Sequence, residues 1–152
     1  MGAGRITVFT THPEKKEAAL RLGADAVVVS TDEHSMATLS RKFDHILSTI
    51  PVSFDPAPYL ALLRRRGNMT VMGLLGPYAT RLNNFDLAAA GLSLTGSMIG
   101  SVSETQESLD FCNRHDIRPL VEVVEASPEN IDRAIERLKV ADVRFRFVIK
   151  MR

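Results

Sequence analysis

Residues 6–25 read ITVFTTHPEKKEAALRLGAD. An apolar, β-branched run ends at Phe9, which suits a short strand over residues 5–9. Two threonines follow. Pro13 then opens a helix in the turn where its missing N–H costs nothing, and Gly23 closes it after Leu22. Ala26, Val27, Val28 and Val29 make a second strand whose unbroken apolar character suits a sheet covered on both faces. Strand, polar turn, helix, strand is the unit of a parallel α/β sheet.

The rhythm continues along the chain. Thr31 is expected to cap a short helix ending near Leu39. Residues 44–50 form a third strand, with HILSTI at its core. Residues 56–66 are predicted to form a helix ended by Gly67, and residues 68–73 a fourth strand. Residues 74–84 read as loop, and 85–90 as a short helix. Strand-like residues 93–97 precede a helix over about 104–115. A strand at 120–124, a helix opened by Ser127 and Pro128, and a strand at 145–149 complete the chain. Ile131, Ala134, Ile135 and Leu138 recur on one face of that last helix.

Composition narrows the function classes. The formal net charge is +1, far from the concentrated positive charge of a long nucleic-acid footprint. Arg64, Arg65 and Arg66 are the one basic cluster, and a helix C-terminus explains them. Cys112 is the single cysteine, so no internal disulfide framework forms; a buried, inert thiol is its plainer reading. No apolar run reaches membrane-spanning length. The expectation is a cytoplasmic protein with no nucleic-acid or membrane partner.

Dinucleotide folds place a glycine-rich turn after their first strand, because the backbone there must approach a pyrophosphate closely. Gly2 and Gly4 are too few and too early. The glycines at 73, 76, 91, 96 and 100 do not match the spacing either.

Taken in order, ITVFTTHPEKKEAALRLGADAVV, FDHILSTI, YLALLRRRGNMTVMG, GSMIGSVSETQESLDFCNRHDI and VRFRFVI resemble the downstream half of zinc-dependent alcohol dehydrogenases of the cinnamyl-alcohol type, including bacterial aldehyde reductases. The resemblance implies an α/β fold: a partial Rossmann-like parallel sheet lacking the first strand and glycine-rich loop, plus a C-terminal strand–helix–strand segment of the catalytic domain. Residues 1–111 would belong to the NADP-binding domain and 112–152 to the GroES-like catalytic domain. Zinc is expected only in the upstream half, outside this chain.

The resemblance also assigns site residues. An acid after the second strand of such a sheet binds ribose hydroxyls; Thr10 and Thr11 stand there instead. Hydroxyls donate to a 2′-phosphate and Lys15 meets its charge. From the residues alone, a polar loop and a solvated helix end explain all three. Thr49 is expected at the cofactor, or as a turn residue before Pro51. Gly73 and Leu74, then Ser97, Met98 and Ile99, match backbone that runs beside the nicotinamide; for a methionine there, packing is the plain alternative. Arg146 matches an arginine near the cofactor, and a salt bridge is its rival reading. His12, His34, His45 and His115 offer no close ligand pair. Glu104 and Glu107 read as an acidic first helical turn.

The implied activity is hydride transfer between NADP(H) and a small aldehyde or primary alcohol in the complete enzyme, with this chain inactive by itself. The rival expectation is a noncatalytic cofactor-binding or interaction fragment. Its unpaired sheet edges would recruit a second copy or an upstream partner chain.

Overall fold

In the computed structural model, which describes residues 4–73, 76–140, 142–143 and 146–151, the alternating pattern is realised as parallel ladders. The chain divides into two compact units, Met1–Met98 and Ile99–Arg152.

In the first unit, β1 (Thr7–Thr10) pairs in parallel with β2 (Ala26–Val29), from Thr7 against Ala26 to Thr10 against Val29. A 3-10 turn, Pro13–Lys15, leads into α1 (Lys16–Arg21), and Gly23 leaves the helix at φ 100°. α2 (Glu33–Ala37) is capped by Asp32 rather than by the expected Thr31. The Asp32 carboxylate accepts from the His34 and Ser35 N–H groups and from the Ser35 hydroxyl. These bonds hold its pKa below the ordinary value, the Ser35 hydroxyl contributing most.

β3 (Phe43–Ser48), β4 (Leu63–Val71) and β5 (Ser93–Gly96) form a second parallel ladder in that order. Among the described residues no ladder joins β1 to β3; Phe9 bridges them by edge-on ring contacts to Phe43 and to Tyr59.

The expected helix over 56–66 is largely absent. α3 spans only Ala57–Leu60. Leu62 and Leu63 are each 2% exposed, and the main chain of Lys42 and Phe43 donates to the Leu62 carbonyl. Burial and pairing together override helix propensity. The register jumps from Phe43–Leu63 to His45–Asn68, so residues 64–67 bulge out of the ladder. Arg66 takes φ 62°. A Cβ at Gly67 would lie 2.9 Å from the Arg64 carbonyl oxygen. Gly67 is therefore a bulge residue, not a helix stop, and the helix-dipole reading of the three arginines falls. Arg64 pairs with Asp44 instead.

The core of this unit gathers Met36, Ile46, Leu60, Leu62, Leu63, Met69 and Val71, with Phe9, Phe43, Phe54 and Tyr59 packed around it. α4 (Asn84–Ala90), capped by Asn83, precedes β5 and ends at Gly91 in the left-handed conformation.

The second unit holds α5 (Val102–Arg114), β6 (Glu122–Glu125), α6 (Pro128–Lys139) and β7 (Phe147–Lys150), with β6 and β7 parallel. α5 begins two residues before its expected start. Ser101 and Glu104 form a reciprocal capping box there. Position 111, where the resemblance puts the domain boundary, lies inside this helix. Cys112 is half-buried rather than buried. α6 starts as expected, with the Ser127 hydroxyl accepting from the Asn130 N–H at 3.2 Å.

Candidate functional site

Parallel strands leave their carboxyl ends on one side, where ligands of open α/β sheets bind. The site residues of the first unit follow from that rule. Thr10 is the last residue of β1. Its hydroxyl accepts the His12 N–H at 3.1 Å, and the Lys15 N–H donates to the His12 carbonyl at 3.1 Å. These two bonds fold the chain back on itself directly after the strand. Thr11 follows, its Oγ1 2.8 Å from His12 Nδ1. Thr11, His12 and Lys15 are exposed and Thr10 is half-buried. The structure thus brings Thr10, Thr11 and Lys15 onto one short turn. The donor set is hydroxyl, hydroxyl and ammonium, with no carboxylate at the strand end itself. It fits a phosphate monoester better than a neutral diol.

A second group stands at the end of the β3–β4–β5 ladder. Ser48, Val71 and Gly96 are aligned across it. The Met72 N–H donates to the Ser48 carbonyl at 2.8 Å, and the Ser97 N–H to the Val71 carbonyl at 3.0 Å. Thr49, Gly73, Ser97 and Met98 therefore leave neighbouring strands together. Thr49, Ser97 and Met98 are exposed. Gly73 is pressed against the Ile50 main chain, with no room for a side chain. Ser48 is 6% exposed, and among the described residues its hydroxyl has no hydrogen-bond partner.

Leu74 lies outside the described residues. Ile99 and Arg146 belong to the second unit. Ile99 is exposed, and the Arg146 carbonyl accepts the Glu122 N–H at 2.9 Å. His12 has no place in the sequence reading except as a rejected metal ligand. The signal that marks it is local: a histidine one residue beyond paired hydroxyls at a strand end. Among the described residues no group of three or more histidine, cysteine or acidic side chains could hold a metal ion, and no helix is long and apolar enough to cross a membrane.

Parallel ladders with polar groups at their carboxyl ends define an α/β protein of the Rossmann type. The chain belongs to the zinc-binding dehydrogenase family, whose pattern matches residues 1–114. It is 42% identical over 149 residues to the NADP-dependent alcohol dehydrogenase C 1 of Mycolicibacterium smegmatis, covering 98% of this chain and 42% of that protein. It is 40% identical over its whole length to the aldehyde reductase YahK of Escherichia coli, of which it covers 43%. Among solved structures, a cinnamyl alcohol dehydrogenase of Sorghum bicolor superposes with a TM-score of 0.89 at 37% identity, over 95% of this chain and 40% of that one. The cinnamyl alcohol dehydrogenase of Helicobacter pylori in complex with NADP(H) superposes with a TM-score of 0.82 at 32% identity, over 97% and 41%. The chain thus spans about two fifths of the length of these relatives.

Proposed function

We propose that this chain is the cofactor-selecting part of an NADP-dependent alcohol dehydrogenase or aldehyde reductase. The observation that carries the reading is the turn after β1, where two hydroxyls and an ammonium group stand in place of a carboxylate. A relative named for its NADP dependence and a relative solved with NADP(H) support it. In this reading residues 1–111 belong to the cofactor domain and 112–152 to the catalytic domain. NADP(H) supplies hydride exchange with an aldehyde or primary alcohol. Thr10, Thr11 and Lys15 hold the 2′-phosphate. Thr49, Gly73, Leu74, Ser97, Met98 and Ile99 shape the wall beside the nicotinamide, and Arg146 adds a cation near the cofactor. Among the described residues no metal site is assembled.

Thr10→Asp tests the reading. A carboxylate repels a 2′-phosphate and suits ribose hydroxyls. The substitution should weaken NADP binding about tenfold or more relative to NAD, the value of one hydrogen bond to a charged group. Equal losses for both cofactors would count against it. The purified chain alone, supplied with NADP, zinc and a panel of aldehydes, is expected to give no turnover; robust turnover would overturn that part.

One observation favours a second reading, a fragment that functions by pairing. Among the described residues β1 and β3 each pair with a strand on one side only, and such edges recruit strands. Light scattering separates the two readings. Selective NADP binding by a monomer supports the first, and stable assembly without cofactor binding supports the second.

A further inference from the structure

We propose that His12 is a specificity-determining residue whose protonation strengthens the grip of the Thr10–Lys15 turn on a 2′-phosphate. The inference rests on the cofactor reading above and assigns that site a proton-dependent element.

Thr11 Oγ1 and His12 Nδ1 are 2.8 Å apart. A neutral imidazole carries a single N–H. If that hydrogen is on Nδ1, the ring donates to Thr11, and Nε2 presents only a lone pair, which disfavours an anion. If it is on Nε2, the Thr11 hydroxyl must spend its hydrogen on Nδ1. Either neutral tautomer leaves one donor of the pair for a ligand. The imidazolium leaves two. Its Nδ1–H donates to Thr11 Oγ1, which frees the Thr11 hydrogen, while Nε2–H is free as well. Among the described residues Nε2 has no hydrogen-bond partner. Protonation therefore adds one donor and one positive charge at the same turn.

The surroundings permit this switch. The His12 backbone is fixed by its N–H to Thr10 Oγ1 and by its carbonyl, which accepts from Lys15. The charged groups on the adjoining elements are Glu14 and Lys15 in the 3-10 turn and Lys16 at the start of α1. The turn after β2, tied to Thr10 by the Ser30 N–H at 2.9 Å, adds Asp32, Glu33 and His34. Asp32 is committed to the α2 N-terminus. Imidazole ordinarily changes charge between about pH 5 and 8, and a phosphate monoester takes its second charge near about pH 6. A ribose without the 2′-phosphate offers no charge for the imidazolium to meet.

Titration of the 152-residue chain with adenosine 2′,5′-bisphosphate, and with adenosine 5′-monophosphate as the ligand lacking the 2′-phosphate, tests the proposal. The bisphosphate should bind about threefold to tenfold more tightly at pH ~6.5 than at pH ~8, between the value of an exposed ion pair and that of a charge-assisted hydrogen bond. The monophosphate should change less. His12→Gln should keep the preference for the bisphosphate at the higher pH and lose the extra pH dependence. In wild type, the midpoint of the His12 ring resonance in an NMR titration should rise when bisphosphate is bound and not when monophosphate is. An unchanged pH dependence in His12→Gln, or an unmoved ring midpoint, overturns the role of His12 and leaves the phosphate site standing. Absence of any preference for the bisphosphate in wild type, including absence of binding, overturns the cofactor reading and this inference together.

Discussion

Gly73 lies so close to Ile50 that a Cβ built on it would clash with the Ile50 carbonyl oxygen and lie 3.4 Å from Cα of Pro51. The contact joins the segment leaving β4 to the segment leaving β3, at the end of the ladder that carries Thr49 and Ser97. The obstacle is main chain, so no side-chain rotation relieves it. Gly73→Ala should destabilise the first unit by about 1–3 kcal/mol, as overpacked sites do. Gly96→Ala, at a position with open space around it, should stay within about 0.5 kcal/mol of wild type. Urea unfolding followed by circular dichroism measures both. Equal effects would show that the Gly73–Ile50 contact gives way cheaply.

Lys15→Met isolates the charge at the β1 turn from its hydroxyls. Lys15 is exposed, so its attraction for a phosphate is screened by salt. The substitution should weaken binding of adenosine 2′,5′-bisphosphate by roughly twofold to fivefold at low salt, and by less at high salt. Binding of adenosine 5′-monophosphate should hardly change. A loss that is the same at both salt concentrations would point to distortion of the turn rather than to a missing charge.

Particular residues show where the sequence was legible. β2 was fully readable, because four consecutive apolar residues fit a strand covered on both faces and little else. The α6 start was readable because Ser127 and Pro128 are local signals with local effects. The Thr10–Lys15 turn was readable as a unit, since strand end and helix start fix it from both sides. Residues 61–67 were not. Leu62 and Leu63 carry helical spacing with Tyr59 and Leu60, but their partners are Lys42 and Phe43 some twenty residues earlier. A pairing of that separation leaves no mark in local periodicity. The contact of His12 with Thr11 was also invisible, since it depends on a backbone turn and not on spacing.

The α5 capping box should respond to acid. Glu104 accepts the Ser101 N–H at 2.6 Å and the Ser101 hydroxyl at 2.8 Å. These bonds, the backbone one contributing most, lower its pKa below the ordinary 4.5. A folded-state value below the unfolded one means that its contribution to stability is fully present above 4.5 and is lost as pH falls through the lower folded value. The Ser101 amide resonance should therefore move as the pH drops below 4.5. Glu104→Gln should abolish that movement. An amide resonance that titrates identically in both proteins would sink the assignment.

Arg137 organises the second unit through three different interactions. Its Nη1 donates to Glu122 of β6 at 2.9 Å, and its Nε to Asp142 beyond α6 at 2.9 Å. Its guanidinium carbon lies 4.9 Å from the centre of the Phe147 ring on β7. One planar cation thus ties α6 to both strands and to the segment that connects them. The hydrogen bonds to Asp142 and then Glu122 raise its pKa further above the ordinary arginine value, so it stays charged throughout the working range. Lysine keeps the charge but offers a single compact ammonium, which cannot span two carboxylates while stacking on a ring. Arg137→Lys should therefore lower the thermal midpoint of this unit and weaken amide-exchange protection at Val123 and Val148 together. Much of the loss should disappear in a Glu122→Gln background, because coupled residues do not add. Additive losses would mean that the Arg137–Glu122 contact contributes no coupling of its own, and that the ring and Asp142 hold the guanidinium without it.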